Sequence, residues 1–168
     1  MSSRQLESLT LAEFFTTTHR LLARVQTGAR PLSDLLNDRS QSFLLVFQVQ
    51  VFPLHLVAKS GTRAPEAYLS KESLSLVIMP AREARPPERS RYAVVERQVL
   101  ATLPQFEVAG RFLGPLRSDL WTFSPATLDP FVLLTEATAR LAAQPDMAFS
   151  GEAILINRAR LESLCLLE

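Results

Sequence analysis

The sequence predicts a mainly β fold, α+β at most, built from two tandem diverged repeats. Three observations predict it. The run Phe43-Leu44-Leu45-Val46-Phe47-Gln48-Val49-Gln50-Val51-Phe52 is aromatic and β-branched with period-two alternation. A second such run, Phe131 to Arg140, begins 88 positions after Phe43 and places Glu136 where the first has Gln48. Short likenesses flank both runs in the same order. Pro31-Leu32-Ser33-Asp34-Leu35 matches Pro115-Leu116-Arg117-Ser118-Asp119-Leu120, and Glu66-Ala67-Tyr68-Leu69 matches Glu152-Ala153-Ile154-Leu155. Self-similarity at a fixed spacing marks a repeated supersecondary unit. The expected organisation is a first repeat over 1–80, a Pro/Arg linker over 81–91 and a second repeat over 92–168. Each repeat carries a short helical turn before its central strand, and the two pack as one pseudo-two-fold sandwich or barrel-like unit.

Taking the elements in order, Thr10-Leu11-Ala12-Glu13 fits a capping box for a short N-terminal helix, while Thr16-Thr17-Thr18 favours extended structure. A strand over about Thr17–Gln26 and a helix over Thr10–Arg24 are both compatible with the spacing. Thr27-Gly28 ends this element. Pro31–Asn37 reads as one helical turn, with Ser33 or Asp34 capping its free N–H groups and Asn37 ending it in a left-handed conformation. Phe43–Phe52 should bury Phe43, Leu45, Phe47, Val49 and Val51 on one face, with its first half covered on both faces. Pro53 stops its ladder.

Ser60–Pro65 reads as a loop. Glu66–Ser70 and Leu74–Met79 read as a hairpin turning at Lys71-Glu72-Ser73. Pro80–Arg91 is a stiff, solvated linker in which Glu83 and Glu88 offset Arg82, Arg85, Arg89 and Arg91. In the second half, Tyr92–Thr102 (strand or short helix), Phe106–Gly110 and Arg111–Gly114 precede a helical turn at Arg117–Trp121. Pro125–Pro130 leads rigidly into the strand at 131–140. Ala142–Ser150 is a loop, and Glu152–Ile156 with Leu161–Leu167 closes the chain as a second hairpin. Leu45 and Leu133 are expected to enter one shared core.

The repeated pattern is Arg30 with Ser33-Asp34-Leu35-Leu36-Asn37 and Phe43, then Ser118-Asp119-Leu120 with Phe131, Leu134 and Ala137, then Asn157-Arg158. It resembles a small bacterial domain family of unknown function. Trp121-Thr122 departs from it where the first copy has Leu36-Asn37. The resemblance implies a fold and no activity.

Composition removes several functional classes. Forty-seven per cent apolar content supports a folded core. The 18 basic and 17 acidic side chains leave no basic face of the kind a non-specific nucleic-acid binder needs. No segment is long and apolar enough to span a bilayer, and Met1–Glu7 lacks the charge-then-apolar order of a signal peptide. With Cys165 the single cysteine, a cytoplasmic location is expected, with Cys165 itself a core thiol.

Two histidines, no metal-ligand spacing and no glycine-rich phosphate loop argue against an enzyme, a metal site or a cofactor. The residues that could still carry a ligand site between the repeats are Asp34, Asp119, His55 and Arg111, the two aspartates as a pseudo-symmetric carboxylate pair. The plainer reading of each aspartate is a cap on its short helical turn. Trp121 and Phe123 are either core or a contact patch. The leading expectation is a non-enzymatic interaction or regulatory module with a protein partner or a homo-oligomeric state. The alternatives are an Sm-like small-barrel RNA binder using Asp34 and Asn37, and a small-ligand binder or enzyme with its site between the repeats.

Overall fold

A computed structural model describes residues 9–56, 60–84, 94–115 and 129–167. It is mainly β, as the alternation predicts. Ten strands form one antiparallel sheet: β1 (Leu9–Phe15), β2 (His19–Gln26), β3 (Phe43–Pro53), β4 (Thr62–Ser70), β5 (Leu76–Met79), β6 (Val94–Leu103), β7 (Phe106–Pro115), β8 (Phe131–Leu141), β9 (Gln144–Asn157) and β10 (Ser163–Leu166). Among the described residues the helix α1 (Leu32–Asn37) joins β2 to β3, and 3-10 turns occupy Lys71–Ser73, Ala81–Glu83 and Arg158–Arg160. The repeat at Arg117–Trp121, together with Asp119, Trp121 and Phe123, lies outside the described residues, as do residues 85–91 of the linker.

The strands lie in the order β10-β6-β7-β8-β9-β5-β1-β2-β3-β4. Each half has the same internal order, last strand first, and the halves meet where β9 pairs with β5. Equivalent strands sit five places apart in an antiparallel sheet, so they run in opposite directions. A half-turn is therefore combined with a shift along the sheet, and the sheet stays open because β10 and β4 remain at opposite ends. Where the sequence suggests a pseudo-two-fold sandwich or barrel-like unit, the strands form one sheet that is not closed.

This topology gives two cores. On the junction strands Val77, Met79, Ala153 and Leu155 enter one cluster. Their neighbours Leu76, Ile78, Ile154 and Ile156 enter the other. Alternation of side chains across a pleated strand places the two clusters on opposite faces of the junction. Each half also lends residues to the other. Phe15 and Leu54 pack in the second-half cluster, where Phe15 meets Phe106 edge-to-face at 5.7 Å between centroids. Phe131 packs in the first-half cluster.

Several sequence expectations change. The N-terminal segment is a hairpin, not a helix: Thr10, Ala12 and Phe14 are buried in alternation along β1, and Thr16 Oγ1 accepts from the N–H groups of Thr18 and His19 to make the turn. In β3 the core residues are Leu44, Val46 and Val49, while Phe43 and Leu45 face outward at 56% and 37% exposure. The reversal comes from Gln48, whose φ of 50° extends a bulge that shifts the pairing with β2 between Leu22 and Arg24. Glu136 has a φ of 46° at the matching place, where pairing with β7 shifts between Ala109 and Arg111. Leu133 is half-buried against the first-half cluster, so it does not share a core with Leu45.

The two expected hairpins are not formed. β5 pairs with β1 and β9, and β10 pairs with β6. Leu76-Val77-Ile78-Met79 is buried on both faces, which only a central strand can satisfy, so the 3-10 turn at Lys71–Ser73 carries the chain from one side of the sheet to the other. The segment 142–150 is not a loop, since all of it beyond Ala143 is the start of β9. Residues 62–65 likewise belong to β4, where Pro65 sits on an edge strand. Cys165 is exposed on the edge strand β10 rather than buried. Glu83, expected in solvent, is 8% exposed.

Candidate functional site

The first half carries its outermost strand, β4, at one end of the sheet. Its sheet begins at β5 and ends at β4, yet only the 3-10 turn and Leu74-Ser75 separate these strands in sequence. The sheet must therefore curl until its two ends approach. A seam remains between β4 and the β1–β2 turn, and it holds a cleft of about 510 Å3. Thr16, Thr17, Thr18 and His19 supply one wall, Tyr68, Leu69 and Ser70 the other, with Leu21, Val51 and Leu74 at its apolar base. Arg160, from the second half, joins the rim and donates to the Glu72 carbonyl at 3.1 Å. His19 Nδ1 lies 2.8 Å from Thr18 Oγ1.

Beside the cleft, and sharing Tyr68 with it, β3 and β4 present an apolar strip. Phe43 pairs with Ser70 and Leu45 with Tyr68, and Phe43, Leu45 and Tyr68 are all exposed, Tyr68 at 68%. Cross-strand neighbours on one face lie close enough to form a continuous surface.

Behind the cleft the halves are pinned together by polar contacts. Asn157 is 5% exposed, and its Nδ2 donates to the Leu74 carbonyl at 2.8 Å while its Oδ1 accepts from Ala159 N–H. Asn37 Oδ1 accepts from Phe131 N–H at 2.9 Å. Lys71 Nζ donates to the carbonyls of Leu35 and Asp38 at the C-terminal end of α1. Burial pulls the Lys71 ammonium below its ordinary value, and the Asp38 carboxylate partly offsets this. Asp38 accepts from Ser40 Oγ, Ser40 N–H and Arg30, which hold its carboxyl down to about 2. Arg158 is lowered by burial, against the pull of Asp129.

The residues singled out from sequence do not converge. Asp34 is half-buried in the first turn of α1, and the carboxylate that accepts from Leu32 N–H is Glu83's, at 3.0 Å. Asn37 is an ordinary helical residue, not a left-handed one, and the chain leaves the helix through an extended Asp38. Its carbonyl is engaged by Phe131, which weighs against its use as a base reader beside Asp34. His55 is exposed in the turn after β3. Arg111 sits on β7 between Glu96 and Glu136, at 3.1 and 3.2 Å. Asp119 lies outside the described residues.

The residues that sequence reasoning missed are Tyr68, Ser70, the Thr16–His19 turn and Arg160. The triple threonine was visible as a breaker, but its position beside β4 depends on curling of the sheet. Among the described residues no group of three His, Cys, Asp or Glu side chains could hold a metal ion, and no helix is long and apolar enough to cross a membrane. No protein-family model, curated protein or solved structure matches the chain.

Proposed function

We propose that the chain is a non-enzymatic interaction module, formed from two diverged copies of one β unit, that takes a protein partner at the β3–β4 side of its first half. The observation that carries this reading is the strip of Phe43, Leu45 and Tyr68 beside a free strand edge. Large apolar side chains gathered on one face, next to unpaired backbone groups, are what partner recognition by strand addition and apolar packing requires. The same side chains dispersed over the surface would need no explanation. Tyr68→Arg, with Leu45→Ser as a second variant, tests it by affinity capture and by binding of the captured partner in purified form. Both variants should fold with unchanged circular dichroism and lose the partner at least tenfold. Retention of the partner by both overturns the reading.

A second reading, a small-ligand binder, is favoured by the seam cleft alone, whose walls supply three threonines, His19, Ser70 and Ser73, with Arg160 at the rim. A cleft of a few hundred Å3 with convergent polar groups is the ordinary form of such a site. Amide shifts of Thr17 and His19 on addition of small hydroxylated or anionic compounds would support it. Shifts that stay constant across a metabolite panel would remove it.

A further inference from the structure

The geometry points to a second copy of this chain as the partner at the β4 edge, joined head to tail by its β10; this rests on the interaction reading above and specifies it. The junction inside the molecule is the template. There, the last-placed strand of one half, β9, pairs antiparallel with the first-placed strand of the other, β5, as Leu76↔Ile156, Val77↔Leu155, Ile78↔Ile154 and Met79↔Ala153. Among the described residues, the strands at the two ends of the sheet, each with one edge unpaired, are β10 and β4, the counterparts of β5 and β9. The molecule therefore displays both halves of a junction it has already formed once. Ten is an even number of strands, so a neighbour in the same orientation offers β4 antiparallel to β10 and continues the alternation.

The register follows from the internal one. Phe14 pairs with Val77 as Ala101 pairs with Leu164, so equivalent residues of the two halves, Phe14 and Ala101 or Val77 and Leu164, lie 87 positions apart. Ser70 and Asn157, which pair with Phe43 and Phe131, are likewise 87 apart. Moving the junction by that offset pairs Ser163 with Leu69, Leu164 with Tyr68, Cys165 with Ala67 and Leu166 with Glu66 of the neighbour. The stretch from Glu66 onward is the part of β4 beyond Pro65, so the proline that blocks pairing on an edge leaves this segment open. β10 is Ser163-Leu164-Cys165-Leu166, with no charge and no proline to guard it, and Leu166 and Leu167 are 44% and 48% exposed.

The two ends are also matched in polarity. The residues corresponding to Phe15 and Leu76, which fill the second half from the first, are Thr102 and Ser163, joined through their hydroxyls at 2.6 Å. A neighbour's β10 would bring this hydroxyl pair to a cleft walled by threonines and serines. A heterologous contact of this kind generates a ring if its rotation closes and a filament if it does not.

Ala67→Cys tests the register, because Cys165 is the single native cysteine. Mild oxidation of Ala67→Cys should give a ladder of disulfide-linked multimers on a non-reducing gel. Ala67→Cys/Cys165→Ser should give none beyond background. Wild-type protein in analytical ultracentrifugation should sediment as multimers of the 18.7 kDa chain, and Cys165→Lys, which places a charge on β10, should return it to monomer with unchanged circular dichroism. Wild-type protein that remains monomeric overturns the proposal, as does a double variant that crosslinks into dimers as readily as the single one, which would mean β4-to-β4 pairing. The interaction reading survives either failure if Tyr68→Arg still loses a purified heterologous partner, and it falls with the proposal if it does not.

Discussion

Lys71 and Glu83 hold opposite ends of the same six-residue helix. Glu83 accepts from Leu32 N–H at the N-terminus and from Thr10 Oγ1, and Lys71 donates to the Leu35 and Asp38 carbonyls at the C-terminus. A carboxylate at the start and an ammonium at the end match the sign of the helix dipole. A helix this short has too few internal bonds to persist alone, so these two contacts fix α1 on the sheet.

The first prediction concerns that clamp. Glu83→Ala leaves two buried donors without an acceptor and should lower unfolding stability by about 2–3 kcal/mol. Lys71→Met keeps the aliphatic packing and strands carbonyls that water can reach from the helix end, so its cost should be about 1 kcal/mol. Glu72→Ala, at an exposed neighbour, should change stability by less than about 0.5 kcal/mol. Urea unfolding of the three variants measures the order. Equal effects for Glu83→Ala and Glu72→Ala would remove the clamp.

The β class and the strands at Phe43–Phe52 and Phe131–Arg140 could be read from alternation alone, whereas β1 looked helical and the start of β9 looked like a loop. Partners could not. Leu76–Met79 is apolar on both faces, which announces a central strand, but the reading of a hairpin with Glu66–Ser70 placed it beside the nearest strand in sequence. The missing glycine at Lys71-Glu72-Ser73 was the clue that no tight turn forms there. Glu83 misled in the same way: a glutamate among prolines and arginines looks solvated until α1 is folded back onto it from 51 residues away. The cleft was illegible because its walls, Thr16–His19 and Tyr68–Ser70, are brought together only by curling of the whole half.

The loop after α1 should show itself in titration. Asp38 accepts from Ser40 Oγ, Ser40 N–H and Arg30, which together hold its carboxyl at about 2 against an ordinary 3.8. A carboxyl lowered on folding stabilises the fold at every pH above its unfolded value, and that contribution fades as pH falls from about 4 through about 2. The carboxyl carbon of Asp38 should titrate with a midpoint near 2 by NMR. Ser40→Ala removes the Oγ contact, the largest single cause, and should raise the midpoint while the Ser40 N–H bond remains; Arg30→Ala should also raise it. A wild-type midpoint near 4 would mean the Asp38–Ser40 turn does not persist in solution.

Gly110 and Ala137 face each other across the β7–β8 bulge at Glu136. A Cβ on Gly110 would lie 2.7 Å from the Ala137 Cβ and 3.2 Å from the Thr135 carbonyl. Gly110→Ala should therefore cost about 1–3 kcal/mol through overpacking. Ala137→Gly on its own opens a small void in a residue 1% exposed and should also destabilise. The pair Gly110→Ala/Ala137→Gly should recover part of the loss, giving a coupling of about 1 kcal/mol in a double-mutant cycle. Strict additivity would show that the two positions do not touch.

The bulge at Gln48 sets up the sharpest separation between the sequence reading and the structure. Period-two counting from Phe43 buries Leu45, whereas the bulge places Leu44 and Val46 inside and leaves Leu45 37% exposed. Val46→Asp should thus abolish folding, since an unpaired carboxylate in a fully buried site costs several kcal/mol against a total stability of about 5–15 kcal/mol. Leu45→Asp should cost less than about 1 kcal/mol. Leu134→Asp, in the second-half cluster, should be as severe as Val46→Asp. Because Phe15 and Leu54 pack in the second cluster and Phe131 in the first, neither half can open without exposing the other, and milder variants such as Val46→Ala and Leu134→Ala should each shift a single shared transition. Two separate transitions in calorimetry, one moved by Val46→Ala and the other by Leu134→Ala, would show that the β9–β5 junction joins independent folding units.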